Sequence, residues 1–316
     1  MNCILCRTRP AGSLEHIFPL AIGGTLTTND LCTECNSHLG DHADADLINH
    51  LVIVIRRAEL GLRGNSGRVP DALKEMMQGA TLASDASQRF RISTAADGSP
   101  DLYLLYSEQS HITDAGVEKT IRLDPRDADR IPVIIQRERK RHGLEPLAQE
   151  ALDALVTGAV LKGQTANPEI HARPSIDLVD YKAGVLKIAY ELAYTWLGEG
   201  WLDDAEADVM RQVLRGQRRP EETQLRGSIQ IGAVAPFILW KQDRHAHLAF
   251  IANMDGKLML GVRVFDAVSG LVKVSANAAR YPLAEGLEHG SFLRIDPVSG
   301  AITRTTMLDE VARIAS

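Results

Sequence analysis

Cys3-Ile4-Leu5-Cys6, then Glu15-His16-Ile17-Phe18-Pro19, then Asn29-Asp30-Leu31-Cys32-Thr33-Glu34-Cys35-Asn36: these three stretches hold every cysteine of a 316-residue chain. The four thiols form two C-x-x-C pairs with 25 residues between them. Each pair can present two thiolates from one tight knuckle, and two knuckles supply the four tetrahedral sulfurs that a structural Zn²⁺ prefers. Two chance pairs or a redox pair is the competing reading, and the gathering of all four cysteines in this spacing favours zinc. A closed four-sulfur site leaves no position for water, so Cys3, Cys6, Cys32 and Cys35 are expected to hold the fold. A segment of about 50 residues has little core of its own, and metal binding is expected to supply most of its folding energy.

Between the knuckles, Leu14–Phe18 reads as a strand closed by Pro19, and Gly23-Gly24 as a loop. A helix is expected from Cys35 or Asn36 through the His50 region, continuing in Leu51-Val52-Ile53-Val54-Ile55 and ending at Arg56-Arg57. This order carries Glu15-His16 beside a helix N-terminus bearing Asn36. A carboxylate, an imidazole and an amide oxygen then converge, with a phosphate-favouring helix start beside them. Phosphodiester hydrolysis needs a base to activate water and positive charge for the transition state. Glu15 and Asn36 offer oxygen ligands for a hard cation such as Mg²⁺ (or Mn²⁺), and neutral His16 is suited to the base role.

The pattern Cys-x2-Cys … Glu-His-Ile-x-Pro … Gly-Gly … Asn-x-Leu-Cys-x2-Cys-Asn resembles the zinc-containing HNH endonucleases, the ββα-metal finger group. It is similar in arrangement to phage recombination endonuclease VII. The resemblance covers residues 3 to about 50 and implies a nuclease acting on DNA. It places water activation on His16, the catalytic divalent cation on Glu15 and Asn36, and steadying of the loop facing the histidine on Asn29. It also implies products with 5′-phosphate and 3′-hydroxyl ends. Position 15 is Glu where many relatives have Asp, and position 36 is Asn where the name-giving pattern has His.

Composition agrees with a folded enzyme: 45% hydrophobic and 24% charged residues are ordinary for a globular chain. No apolar run approaches the roughly 20 residues that cross a bilayer. No basic flank and apolar run marks a secretory signal, so a cytoplasmic, thiol-reducing setting without membrane association is expected. A net charge of −6 argues against a protein that coats nucleic acid, but not against one with a basic face. Between Lys119 and Arg141 eight Lys/Arg face four Asp/Glu, ending in Arg137-Glu138-Arg139-Lys140-Arg141. Such runs are most often solvated surface; Arg56, Arg57, Arg139, Lys140 and Arg141 are the candidates for phosphate contact.

The glycines and proline of 61–70 suggest a boundary, giving residues 1–57 as the finger and 58–316 as a larger domain. In the latter, 72–79 and 148–161 look helical, and 102–107 and 131–136 look like strands. Tyr181–Leu197 is apolar on most faces and reads as a buried helix, followed by a shorter one at 203–214. From residue 227 strands are expected at 229–231, 235–240, 247–252, 257–265 and 271–274, with a hairpin turn at Asp255-Gly256. The expected class is α+β, helices first and antiparallel strands after. The histidine pairs His38/His42 and His245/His247 are read as ordinary residues, and Trp196, Trp201 and Trp240 as core. The favoured function is a metal-dependent endonuclease whose larger domain recognises substrate, forms a homodimer or responds to a small-molecule or protein regulator, as in phage-defence effectors. The alternative is a catalytically silent zinc module that binds nucleic acid while residues 58–316 carry the main function.

Overall fold

The computed structural model describes residues 1–64, 66–113, 116–141, 143–160, 167–173, 177, 179–223, 225–229, 243–281 and 290–315. Strands β1 (Ser13–His16) and β2 (Thr27–Leu31) pair antiparallel, and α1 (Thr33–Leu39) follows directly after the second knuckle. The expected single helix to residue 55 is broken twice. A π-helical stretch at Gly40–Asp44 leads into α2 (Ala45–Asn49), and His50 takes extended backbone, ψ 132°, before α3 (Leu51–Glu59). At the second break the His50 ring is buried against a distant segment, with Nε2 2.6 Å from the Asp177 carbonyl.

The chain parts into two compact units, Met1–Ala72 with Ile176–Ser316, and Leu73–Ser175. The finger, expected as residues 1–57, thus lies in one compact unit with the C-terminal part, and residues 73–175 are inserted between them in the chain. That insertion holds α4 (Ala72–Met76, beginning one residue before it), β3 (Thr81–Leu82), β4 (Asp85–Thr94), β5 (Pro100–Leu104), β6 (Ser107–Thr113), β7 (Gly116–Arg122), α5 (Ile131–Arg141), α6 (Gln149–Thr157) and β8 (Ile170–His171). Its sheet runs β5-β4-β3-β8, with β6-β7 a separate hairpin. Residues 131–136, expected as a strand, form the first turns of α5. Pro132 sits where a helix tolerates proline, and Ile134 and Glu138, four apart, are the buried positions.

The C-terminal part holds α7 (Tyr181–Leu197), α8 (Ala205–Leu214), β9 (Arg226–Ile229), β10 (His247–Met254), β11 (Lys257–Val264), β12 (Val268–Ser275), β13 (Ser291–Ile295), β14 (Ile302–Thr306) and α9 (Met307–Ala315). Its antiparallel sheet has the order β14-β13-β10-β11-β12-β9. The mixed helix and antiparallel-sheet class is as read from sequence. The strand expected at 235–240, and Trp240 with it, lies outside the described residues. In β10 the side chains alternate between two cores: Ala249 and Ile251 join the core that contains α7, while Leu248, Phe250 and Ala252 join Met307 and Ile314 of α9. A strand covered on both faces reads as an unbroken apolar run. Asp255 and Gly256 join β10 to β11 with φ of 52° and 76°, the left-handed pair a tight hairpin requires.

α7 is a buried layer between finger and sheet. A Cβ at Gly184 would lie 2.5 Å from the Leu47 Cβ and 2.7 Å from the Ala43 carbonyl, and one at Gly270 would lie 2.6 Å from Val185. Glycine at both positions lets the helix approach α2 on one side and β12 on the other. The finger core is accordingly continuous with the rest, since Ile4, Leu5, Ile17, Phe18 and Leu31 pack in one cluster with Val185, Ile188 and Val262. The expectation that zinc supplies most of the finger's folding energy is revised on this ground: much of its apolar surface is covered by the downstream chain.

Candidate metal and cleavage sites of the finger

The first knuckle turns at Arg7, whose φ of 61° is unusual for a residue with a side chain. The Arg7 N–H donates to Cys3 O at 2.8 Å, and Ile4 N–H to Asp30 O at 2.9 Å, tying the knuckle to β2. The second knuckle caps α1, with Asn36 N–H donating to Cys32 O at 2.9 Å. Together they bring the four sulfurs within 4.8 Å of one another, Cys6 and Cys32 being 4.0 Å apart. Zn–S bonds of about 2.3 Å in a tetrahedron put sulfurs roughly 3.8 Å apart, so the donor set fits a structural zinc with little adjustment. Burial, with the neighbouring Cys32 and Cys3 sulfurs, pushes the Cys35 thiol far up. Four thiols this close cannot all ionise without a cation among them. Among the described residues no other group of three or more His, Cys, Asp or Glu gathers in this way.

β1 carries a bulge between Ser13 and Glu15: Ser13 pairs with Leu31, Glu15 with Thr28 and His16 with Thr27. Asn36 closes the bulge from α1, its Nδ2 donating to Ser13 Oγ at 2.9 Å and to the Leu14 carbonyl at 2.8 Å. Its amide oxygen is the atom left for a ligand. His16 is half-buried, and its ring makes no hydrogen bond to a described residue. Asn29 is exposed on β2, and its amide has no hydrogen-bond partner among the described residues.

Glu15 turns the other way, into the protein, and is 5% exposed. Its Oε1 accepts a hydrogen bond from Nζ of Lys187 on α7. The same ammonium donates to the His16 carbonyl at 2.7 Å and the Ile17 carbonyl at 3.3 Å. Asp44 and Glu191 stand 3.5 Å from it. Burial alone would discharge Lys187, but the charges of Glu191, Asp44 and Glu15 outweigh it and hold the proton on. Burial pushes the Asp44 carboxyl up to about 6, against the pull of Lys187. It pushes Glu191, wholly buried, well above the carboxylate range. From sequence Asp44 reads as a helix-surface residue that could at most assist the metal, and neither Lys187 nor Glu191 stands out as a partner of Glu15. The available signal was a charged pair four residues apart inside a helix otherwise apolar all round.

Two of the candidate phosphate contacts are engaged elsewhere. Arg57 is buried and donates to the carbonyls of Ala21 at 2.8 Å and Ile48 at 3.1 Å. Arg56 forms a two-pronged pair with Asp266, at 2.7 and 3.1 Å, and another with Glu59. A phosphate at either guanidinium would have to displace those partners. At the end of α5, Arg141 pairs with Glu138 at 2.6 Å and half-buried Arg139 donates through Nε to the Glu145 carbonyl at 2.8 Å, while Lys140 is exposed. His38 Nε2 lies 3.1 Å from the Leu214 carbonyl and His42 Nδ1 2.9 Å from the His38 carbonyl. His247 is buried between Phe18 and Phe265, with Nε2 donating to the Ile22 carbonyl at 2.8 Å and Nδ1 accepting from Phe265 N–H at 3.3 Å. No described helix is long and apolar enough to cross a membrane.

Residues 3–52 match a family model described as HNH endonuclease. The match takes in both knuckles, β1, β2, α1 and α2, and stops at the start of α3. No curated relative and no solved structure matches the chain.

Proposed function

We propose that the chain is a metal-dependent endonuclease that hydrolyses DNA phosphodiester bonds at its N-terminal finger. The observation that carries this reading is the placement of half-buried His16 at the end of a bulged strand pinned by Asn36, on a four-cysteine platform within the matched segment. Neutral His16 would take the proton from an attacking water as its oxygen bonds to phosphorus and the bond to the 3′ oxygen breaks. That leaves a 5′-phosphate and a 3′-hydroxyl. Glu15, through the oxygen not engaged by Lys187, and Asn36, through its amide oxygen, would hold a hard divalent ion, Mg²⁺ or Mn²⁺. Such an ion supplies positive charge for the leaving oxygen and transition state. The bulge fixes the strand end, so His16 meets the phosphate in a set orientation.

The engagement of Glu15 by a buried ammonium favours a second reading, a zinc module that binds nucleic acid or regulates without turnover. Supercoiled plasmid incubated with the purified protein in Mg²⁺, Mn²⁺ and EDTA separates the two. The nuclease reading expects metal-dependent nicking, lowered by about 10²–10⁴-fold in His16→Ala, with zinc content and DNA binding retained. Equal cutting by the variant removes His16 from the mechanism, and silence in every metal favours the binding module.

A further inference from the structure

Lys187 lies 171 residues beyond His16 in the chain, is wholly buried, and meets the cleavage strand from α7. An ammonium has three donors. Here three donor contacts reach three consecutive residues: the Glu15 carboxylate, the His16 carbonyl and the Ile17 carbonyl. The acids Asp44 and Glu191 stand outside hydrogen-bond geometry, and Asp44 Oδ1 and both Glu191 oxygens are buried without a hydrogen bond. They stand beside the lysine while its donors are directed to β1. A buried ion pair is a poor device for stability, since apolar residues of similar volume usually serve as well or better; its better-attested use is to fix one geometry. The two carbonyls matter most here, because they belong to the successive peptide groups on either side of Ile17 and cannot rotate away as a side chain could.

We propose that Lys187 is the positioning residue of the cleavage site, holding the strand end that presents His16 and restraining the Glu15 carboxylate beside it. The role rests on the nuclease reading for its consequence in catalysis, but not for its geometry. A finger detached from α7 would keep its four cysteines and lose the orientation of its histidine.

The test uses full-length zinc-loaded protein carrying Lys187→Met, and the double variant Lys187→Met with Glu191→Leu. The second removes a buried acid that would otherwise lose its partner charge, so that a folded protein is obtained. Zinc content and thermal melting report the fold, histidine-selective NMR reports the His16 ring, and plasmid cleavage in Mn²⁺ reports turnover. The expected result is a folded variant with full zinc whose His16 resonances shift or broaden while those of His38 and His42 stay. Its kcat should fall by about tenfold to a hundredfold with KM for DNA unchanged, as for a misplaced catalytic group. Unmoved His16 resonances with wild-type kcat in a folded variant would overturn the proposal. If the wild-type protein cuts nothing, the nuclease reading falls, and the NMR comparison still decides whether Lys187 positions His16.

Discussion

The cysteine cluster and the Glu15-His16 strand belong to one short finger and are built in opposite ways. All four cysteines of the first come from residues 3–35, and their sulfurs lie within 4.8 Å of one another. The second draws its closing partner from α7, across the whole 73–175 insertion. A site assembled from its own neighbourhood is defined by spacing alone, whereas one assembled from a distant helix depends on how two parts of the chain dock.

The largest effect expected from this contrast follows loss of zinc. Cys35→Ser should abolish metal retention and destabilise the finger, against a structural-zinc contribution of roughly 10 kcal/mol or more in isolated fingers. The shared core makes the effect here smaller than in an isolated finger. Zinc analysis with thermal melting measures both. A metal-free variant melting as the wild type would show that the shared core alone holds the finger.

The docking side can be weakened through pH. His247 joins the finger loop at Ile22 to the sheet, and burial, with the Arg263 charge and against the pull of Asp296, brings it down to about 4 from an ordinary 6.5. As pH falls below 6.5 the unfolded chain takes up a proton that the folded chain refuses until about 4. The stability contributed is therefore complete above 6.5 and lost as pH drops through that window, by about 3 kcal/mol. His247→Gln should flatten the melting-temperature profile between pH 6.5 and 4. An unchanged slope would remove His247 as its source.

A smaller change sharpens the comparison at the layer itself. Gly184→Ala places a methyl against Leu47 and the Ala43 carbonyl, and overpacking of this kind costs about 1–3 kcal/mol. Zinc content should stay full while thermal melting falls. Loss of zinc in this variant would mean that the cysteine cluster also depends on α7.

The parts legible in the sequence were those whose signal is local. The two knuckles, the α7 helix at 181–197 and the Asp255-Gly256 turn follow from spacing, apolar content and backbone chemistry over a few residues. The division of the chain was not legible, because residues 1–72 and 176–316 share a core through contacts that no local pattern encodes. Ile131–Gln136 misled because a short apolar run fits strand and helix alike. Arg57 looked like a surface charge because sequence does not show that the Ala21 and Ile48 carbonyls wait for its donors. Lys187 was passed over as one polar residue in a buried helix, and its meaning came only from what α7 lies against.

The distance between Glu15 and Lys187 along the chain has a consequence for the order of synthesis. On the nascent chain the cysteines of the finger precede α7 and can take up zinc before that helix is made. Lys187, which donates to Glu15 and the His16 carbonyl, leaves the ribosome only after the entire 73–175 insertion has passed. On this arrangement an unfinished or truncated product carries a metal-loaded but unaligned finger. For the proposed nuclease, competence to cut would then come only once α7 has folded onto the strand.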